Sequence, residues 1–277
     1  MKSNYPRISV ITATHNTPYS TLYAISSLLK FNPDFHFRIH IVDEGEYGEL
    51  TEKFLKPFCY VYKKDPSLKN LGWTFHGTAI SMICDDYLED DFFLTLDSDL
   101  YSTDYGGIKC LYNALTSDSA NYAASMHLVD GKYLTSEWEI GSDKMSKENP
   151  YEYFYYMPQS CMWYSLRRND DDFKRVHKEF KFDTAVQCGI GAVVGGYLVK
   201  RSYDTGGLVS TGMRVLGRKG VAVPEVDSLV VHGGAVSTTK GKYESMKNDL
   251  KKKCAEINMK ELKNYDPPVQ SKNVRML

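Results

Sequence analysis

No stretch of about 18 consecutive apolar residues occurs in the 277-residue chain, so it offers no candidate for a membrane-spanning helix. Cysteine is sparse. Cys59, Cys84, Cys110, Cys161, Cys188 and Cys254 lie far apart without a CxxC pair, which indicates neither a zinc site nor a disulfide framework and leaves buried free thiols as the expectation. Neither sign of charge is in excess: 34 basic side chains stand against 35 acidic ones. No global positive field is therefore available to hold a polyanion, and nucleic acid becomes a minority partner. The opening MKSNYPRISV turns into a strand pattern too soon for a secretory leader, so a cytosolic location is expected. Internal repeats and low-complexity tracts are also missing. What is present is 42% hydrophobic and 13% aromatic residues, enough for one large domain carrying a substantial insertion.

The first half alternates short apolar runs with helix-length amphipathic stretches, as βαβ crossover units require, so an α/β fold with a mostly parallel sheet flanked by helices is expected. Arg7 to Ala13 is apolar on both faces, the pattern of a strand covered from each side. After it, Thr17 is placed to cap a helix that has Pro18 in its first turn and runs to about Lys30. Phe37 to Val42 and Phe58 to Tyr62 read as further strands, with a helix from Asn70 to about Tyr87 behind them. Phe92 to Leu96 reads as a buried strand, Ile108 to Leu115 as a helix and Tyr122 to Leu128 as a strand. From 130 to 183 regular periods break down, and an irregular insertion is expected there. Ala185 to Val199 is glycine-rich and β-branched; two short apolar runs ending at Pro224 and His232 close the core, and a basic helical tail follows from Lys240. This divides one domain into residues 1–129, 130–183, 184–239 and 240–277.

In open α/β sheets ligands bind beyond the carboxyl ends of the strands, where loops and helix N-termini converge. Asp43 and Glu44 follow the second strand, and Asp97 and Asp99 follow the one that begins at Phe92. Asp97-Ser98-Asp99 is the sharpest of these signals. An apolar run drives the chain into the core, and two carboxylates then emerge together where desolvation is costly without a counter-charge. Mg²⁺ or Mn²⁺ answers that cost while leaving positions open for phosphate oxygens. An aspartate that merely caps the next turn is the alternative, and the buried strand before it favours the cation.

These residues together resemble the GT-A glycosyltransferases, most closely glycosyltransferase family 2. The strand and T-x-x-N-type turn appear as ISVITATHN, the VDDGS-like turn as Ile41 to Glu46, the N-x-G element as Asn70-Leu71-Gly72, and the DxD motif within LTLDSDL, in the family's order over residues 8 to 100. The resemblance implies a metal-dependent transfer of sugar from a nucleoside diphosphate donor, taken as a UDP-sugar, to a glycan or similar hydroxyl acceptor. Thr12 and Ala13 would hold the nucleoside through the backbone and Asp43 would contact base or ribose. Asn70 and Gly72 would line the nucleotide side. Asp97 and Ser98 would face ribose or donor sugar, and Asp99 would bind the metal. The family's second asparagine after N-x-G is missing, with Gly77 and Thr78 near its place.

In the C-terminal half, Gly195-Gly196 and Gly206-Gly207 resemble the acceptor side of such enzymes. The run from Pro224 to Gly234 resembles a strand ending in a histidine, here His232, that serves as a further metal ligand. A histidine bonded to backbone at a strand end is the alternative. Lys240 and Lys242 would fold over the diphosphate or simply face solvent. The tail they open is also basic enough to touch an anionic membrane surface. The acidic pair that inverting family 2 members carry after the second glycine pair is missing from Leu208 to Met213. Either Asp183 or Asp204 supplies the base, or the reaction retains configuration without one. Tyr151, Tyr153, Tyr155, Tyr156, Trp163 and Tyr164 would stack on acceptor sugars or pack as a loop cluster. A nucleic-acid acceptor would instead use Arg167, Arg168, Lys174, Arg175, Lys178 and Lys181. A binding protein that has lost catalysis is the remaining alternative.

Overall fold

The computed structural model describes residues 5–43, 55–63, 74–117, 120–125, 128–129, 132–133, 164–179, 182, 192–194, 197–199, 209, 212–213, 216–233 and 240–268. Strand β1 (Arg7–Thr14) forms its axis. Ile8 and Val10 enter one core and Ile11 another, which is why the strand reads as a continuous apolar run rather than an alternating one. Asn16 then takes a left-handed conformation, φ 56°, that asparagine tolerates better than most residues, and the chain turns into α1 (Pro18–Phe31). Pro18 occupies the first turn as expected. Thr17 stands at the N-cap, but its hydroxyl makes no capping bond; only its carbonyl is used, accepting from the Thr21 amide and hydroxyl.

Helix α1 lays Ala24, Ile25, Leu28 and Leu29 on the first core and returns the chain to β2 (His36–Asp43), parallel to β1. Next come β3 (Tyr60–Lys63), α2 (Thr74–Asp86), β4 (Phe92–Leu96), β5 (Leu100–Ser102), α3 (Gly107–Ser117) and β6 (Ala120–Ala124). Then follow β7 (Leu128–Val129), β8 (Lys132–Tyr133), β9 (Tyr164–Arg168), α4 (Asp171–Glu179), β10 (Ala192–Val194), β11 (Tyr197–Val199) and β12 (Lys219–Ala222). A 3₁₀ turn (Pro224–Ser228), β13 (Val230–His232) and α5 (Lys240–Glu256) complete the order.

Seven strands make the main sheet, in the order β12-β6-β9-β4-β1-β2-β3. All of its pairings are parallel except those of β9, which runs against β4 on one side and β6 on the other. The fold is thus α/β with a mostly parallel sheet flanked by helices, as the resemblance implies. One expectation needs correcting. The stretch from 130 to 183, read as irregular, ends in β9 and α4, and β9 lies near the middle of the sheet. Its Arg167 is fully buried, with the guanidinium 4.6 Å from the Tyr122 ring and 5.4 Å from that of Phe182. Cation–π contact replaces the apolar packing a central strand normally advertises.

The C-terminal segment lies alongside β2, with Tyr265 in a parallel bridge to Phe37. Phe37 donates its amide to the Asn264 carbonyl and accepts from the Asp266 amide, each at 2.8 Å. The Asp266 carboxylate pairs with Arg7 at 3.0 Å and His36 at 2.7 Å, fastening this segment to the ends of β1 and β2 remote from Asp43 and Asp97.

Candidate metal centre

Strand β4 is buried at all five positions and delivers Asp97-Ser98-Asp99 at the carboxyl end of the sheet. The Leu100 amide donates to the Asp97 carbonyl at 3.1 Å, so the three residues form a tight turn that feeds directly into β5. Strand β13 pairs antiparallel with β5, matching His232 to Leu100, Val231 to Tyr101 and Val230 to Ser102. The Thr103 amide closes one end of this ribbon on the Leu229 carbonyl at 2.9 Å, and the Gly233 amide closes the other on the Asp99 carbonyl at 2.6 Å. His232 Nε2 consequently lies 3.2 Å from Asp99 Oδ1 and 3.8 Å from Asp97 Oδ2.

The three side chains offer one ligand atom each, all within 4.8 Å of one another. Asp99 is the deepest, its side chain 3% exposed, against 18% for Asp97 and 15% for His232. Burial by itself would lower the imidazole pKa, but hydrogen bonding to Asp97 and Asp99 outweighs it and carries His232 up to about 9. Without a cation the imidazolium therefore acts as counter-charge to the two carboxylates. Two carboxylates and one imidazole make a donor set suited to Mn²⁺ and tolerable to Mg²⁺, so the residues fit a divalent ion.

Several other candidate residues are also described. Asp43 ends β2, buried and in register with Thr14. Thr12 is buried on β1, and its hydroxyl has no hydrogen-bond partner among the described residues. Ala13 sits beside Val42. Ser98 is buried, and its carbonyl accepts from Ser20 Oγ at 2.8 Å. Lys240 opens α5. Asn70, Gly72, Asp183 and Asp204 lie outside the described residues, as do Tyr151, Tyr153, Tyr155, Tyr156, Trp163 and both glycine pairs. Tyr164 is not available to an acceptor sugar, because it is fully buried in the first core.

The basic stretch also reads differently in three dimensions. Arg167 is buried, and Arg168 donates to the carbonyls of Ala120 and Leu115, holding α3 to β9. Asp170 accepts from the Phe173 amide at the start of α4 and pairs with Arg218 at 2.6 Å. Of the residues proposed to meet phosphates, only Lys174, Arg175 and Lys178 are described as exposed, and Arg175 already pairs with Asp172. Pattern reading missed Ser20 and Tyr101, whose hydroxyls meet at 2.7 Å behind the Asp97 to Asp99 turn. Their signal was a serine on the buried face of α1, where an apolar residue is the usual choice.

No family model matches the chain, and no curated protein does. Among solved structures it is similar to the mannosyltransferase PcManGT from Pyrobaculum calidifontis in complex with GDP-Man and Mn²⁺, at 10% identity over 81% of this chain and 57% of that one, TM-score 0.49. It therefore spans little more than half the length of that protein. Glucosyl-3-phosphoglycerate synthase from Mycobacterium tuberculosis, in complex with Mn²⁺, UDP-glucose and glycerol 3-phosphate, is 12% identical over 90% of this chain and 80% of that one, TM-score 0.46. Mouse xyloside xylosyltransferase 1 is 13% identical over 78% and 84%, TM-score 0.44. Similarity at this level transfers no residue, ligand or substrate to the present chain. No helix among the described residues is long and apolar enough to cross a membrane.

Proposed function

We propose that this chain is a metal-dependent glycosyltransferase that moves a sugar from a nucleoside diphosphate donor, a UDP-sugar by preference, to a hydroxyl of a glycan or similar acceptor. The observation that carries the proposal is the convergence of Asp97, Asp99 and His232 at the carboxyl end of β4, brought together from distant parts of the sequence by the β5–β13 ribbon. Mn²⁺ or Mg²⁺ held by these three side chains would supply Lewis-acid stabilisation to the oxygens of a departing diphosphate.

The chain's own residues account for the rest. Asp99 is almost fully buried, while Asp97 is the more open of the two and would meet an arriving donor. His232 must surrender its proton to become a ligand, since only neutral imidazole has a free lone pair at Nε2. Asp43 supplies acceptor oxygens for ribose hydroxyls or a ring N–H, next to the Thr12 and Ala13 backbone. Lys240 and Lys242 follow the histidine closely enough in sequence to reach a diphosphate. In this reading residues 1–129 bind the donor, 130–183 and 184–239 form the acceptor side, and Asp183 or Asp204 is the base if configuration inverts.

The test is a screen of nucleotide sugars for Mn²⁺-dependent release of nucleoside diphosphate, run on the parent protein, Asp99→Ala and His232→Ala. One donor should be hydrolysed slowly without acceptor, and each variant should lose about a hundredfold or more in rate. Parent-like rates in both variants, or undiminished turnover in a chelator, would overturn the proposal.

A further inference from the structure

Ser20 lies in the first turns of α1, fully buried. Its hydroxyl has one hydrogen, and that hydrogen goes to the Ser98 carbonyl at 2.8 Å. The 2.7 Å contact between Ser20 Oγ and the Tyr101 hydroxyl must then run the other way, with the phenol donating. The result is a directed chain from Tyr101 through Ser20 to the carbonyl between the two aspartates. Seven residues further along the same face of α1, Ser27 Oγ accepts from the Ser102 amide at 3.1 Å. One helix thus grips the strand-to-ribbon junction on both sides of Leu100.

The Ser98 carbonyl belongs to the peptide unit that leads into Asp99. Holding its oxygen fixes the plane of that unit and with it the direction in which the Asp99 side chain leaves the backbone. A cation site tolerates errors of only a few tenths of an ångström in its ligands. We propose that Ser20 and Tyr101 are positioning residues for the centre, setting the Asp97–Asp99 spacing through the Ser98 carbonyl without touching substrate or ion. This rests on the metal-centre reading above.

Mn²⁺ titration followed by the electron paramagnetic resonance signal of the free ion tests it, with metal-free melting temperatures recorded on the same samples. Ser20→Ala and Tyr101→Phe should each weaken Mn²⁺ binding roughly threefold to tenfold, the scale of one hydrogen bond. The double variant should be little worse than Ser20→Ala, because the two hydroxyls act in series. Ser26→Ala removes an equally buried hydroxyl of α1 whose one bond among the described residues is to the Tyr23 carbonyl of its own helix, and it should bind as the parent does. Tyr101→Phe deletes one oxygen and keeps the ring 4.8 Å from that of Tyr23, so it carries the test if Ser20→Ala fails to fold. If Asp99→Ala abolishes binding while Tyr101→Phe and any folded Ser20→Ala match the parent, the positioning role is wrong and the metal centre stands. If the parent itself does not bind Mn²⁺, or Asp99→Ala binds as well as the parent, both are wrong.

Discussion

At the scale of single residues, His232 decides how the centre responds to pH. Its metal-free pKa near 9 means that at neutral pH a cation must displace a proton, so apparent Mn²⁺ affinity should rise about tenfold per pH unit up to pH 9 and then level off. Titrations between pH 6 and 10 check this. The same raised pKa makes an opposite contribution to metal-free stability: the ion pair with Asp97 and Asp99 stabilises the fold fully below the unfolded-state value of about 6.5 and is lost as pH rises through about 9. Metal-free denaturation midpoints should therefore fall between pH 7 and 9, and more in the parent than in His232→Ala. Gly220 is a second residue with a definite expectation. A Cβ there would collide with the ring and hydroxyl of Tyr122, whose ring is itself packed against Arg167. Gly220→Ala should cost about 1–3 kcal/mol in denaturant unfolding through overpacking.

At the scale of elements, the parts legible in the sequence were those whose composition matched their environment. β1, β2 and β4 are apolar because both faces of a parallel sheet are covered, and the carboxylates at their ends stood out against that background. β9 escaped notice for the converse reason: a YSLRR strand looks exposed until Arg167 is seen to lie over the rings of Tyr122 and Phe182, an arrangement built from residues outside the strand. Tyr164, counted among aromatics for a sugar, belongs to the first core for the same reason. The ligand set was legible as residue types, but the β5–β13 register that brings His232 to Asp99 carried no local signal. The C-terminal latch was likewise invisible, since Asp266 meets Arg7 and His36 only through the folded sheet. These partners are partly exposed, so Asp266→Ala should cost about 0.5–1.5 kcal/mol, measurable as a lowered urea midpoint with the slope unchanged.

For the whole molecule, the proposed cation binding would be linked to folding, because Asp97, Asp99 and His232 meet only in the native state. Mn²⁺ at about a hundred times its dissociation constant should add about 2.7 kcal/mol to stability, seen as a melting temperature raised by about 5 °C. Asp99→Ala should abolish that rise, which differential scanning calorimetry with and without Mn²⁺ would measure. Among the described residues, two cores on opposite faces of one sheet carry the fold, and the centre sits at the sheet's carboxyl end rather than inside either core. The shortness of the ribbon that completes it has a further effect. β13 offers only three positions, and a slip by one would present Val231 or Gly233 where the imidazole belongs, neither of which can donate a lone pair from a side chain. Such a slip would leave Asp97 and Asp99 in place without their third partner, so on the proposed reading weakening the ribbon would lower the share of molecules that carry all three ligands.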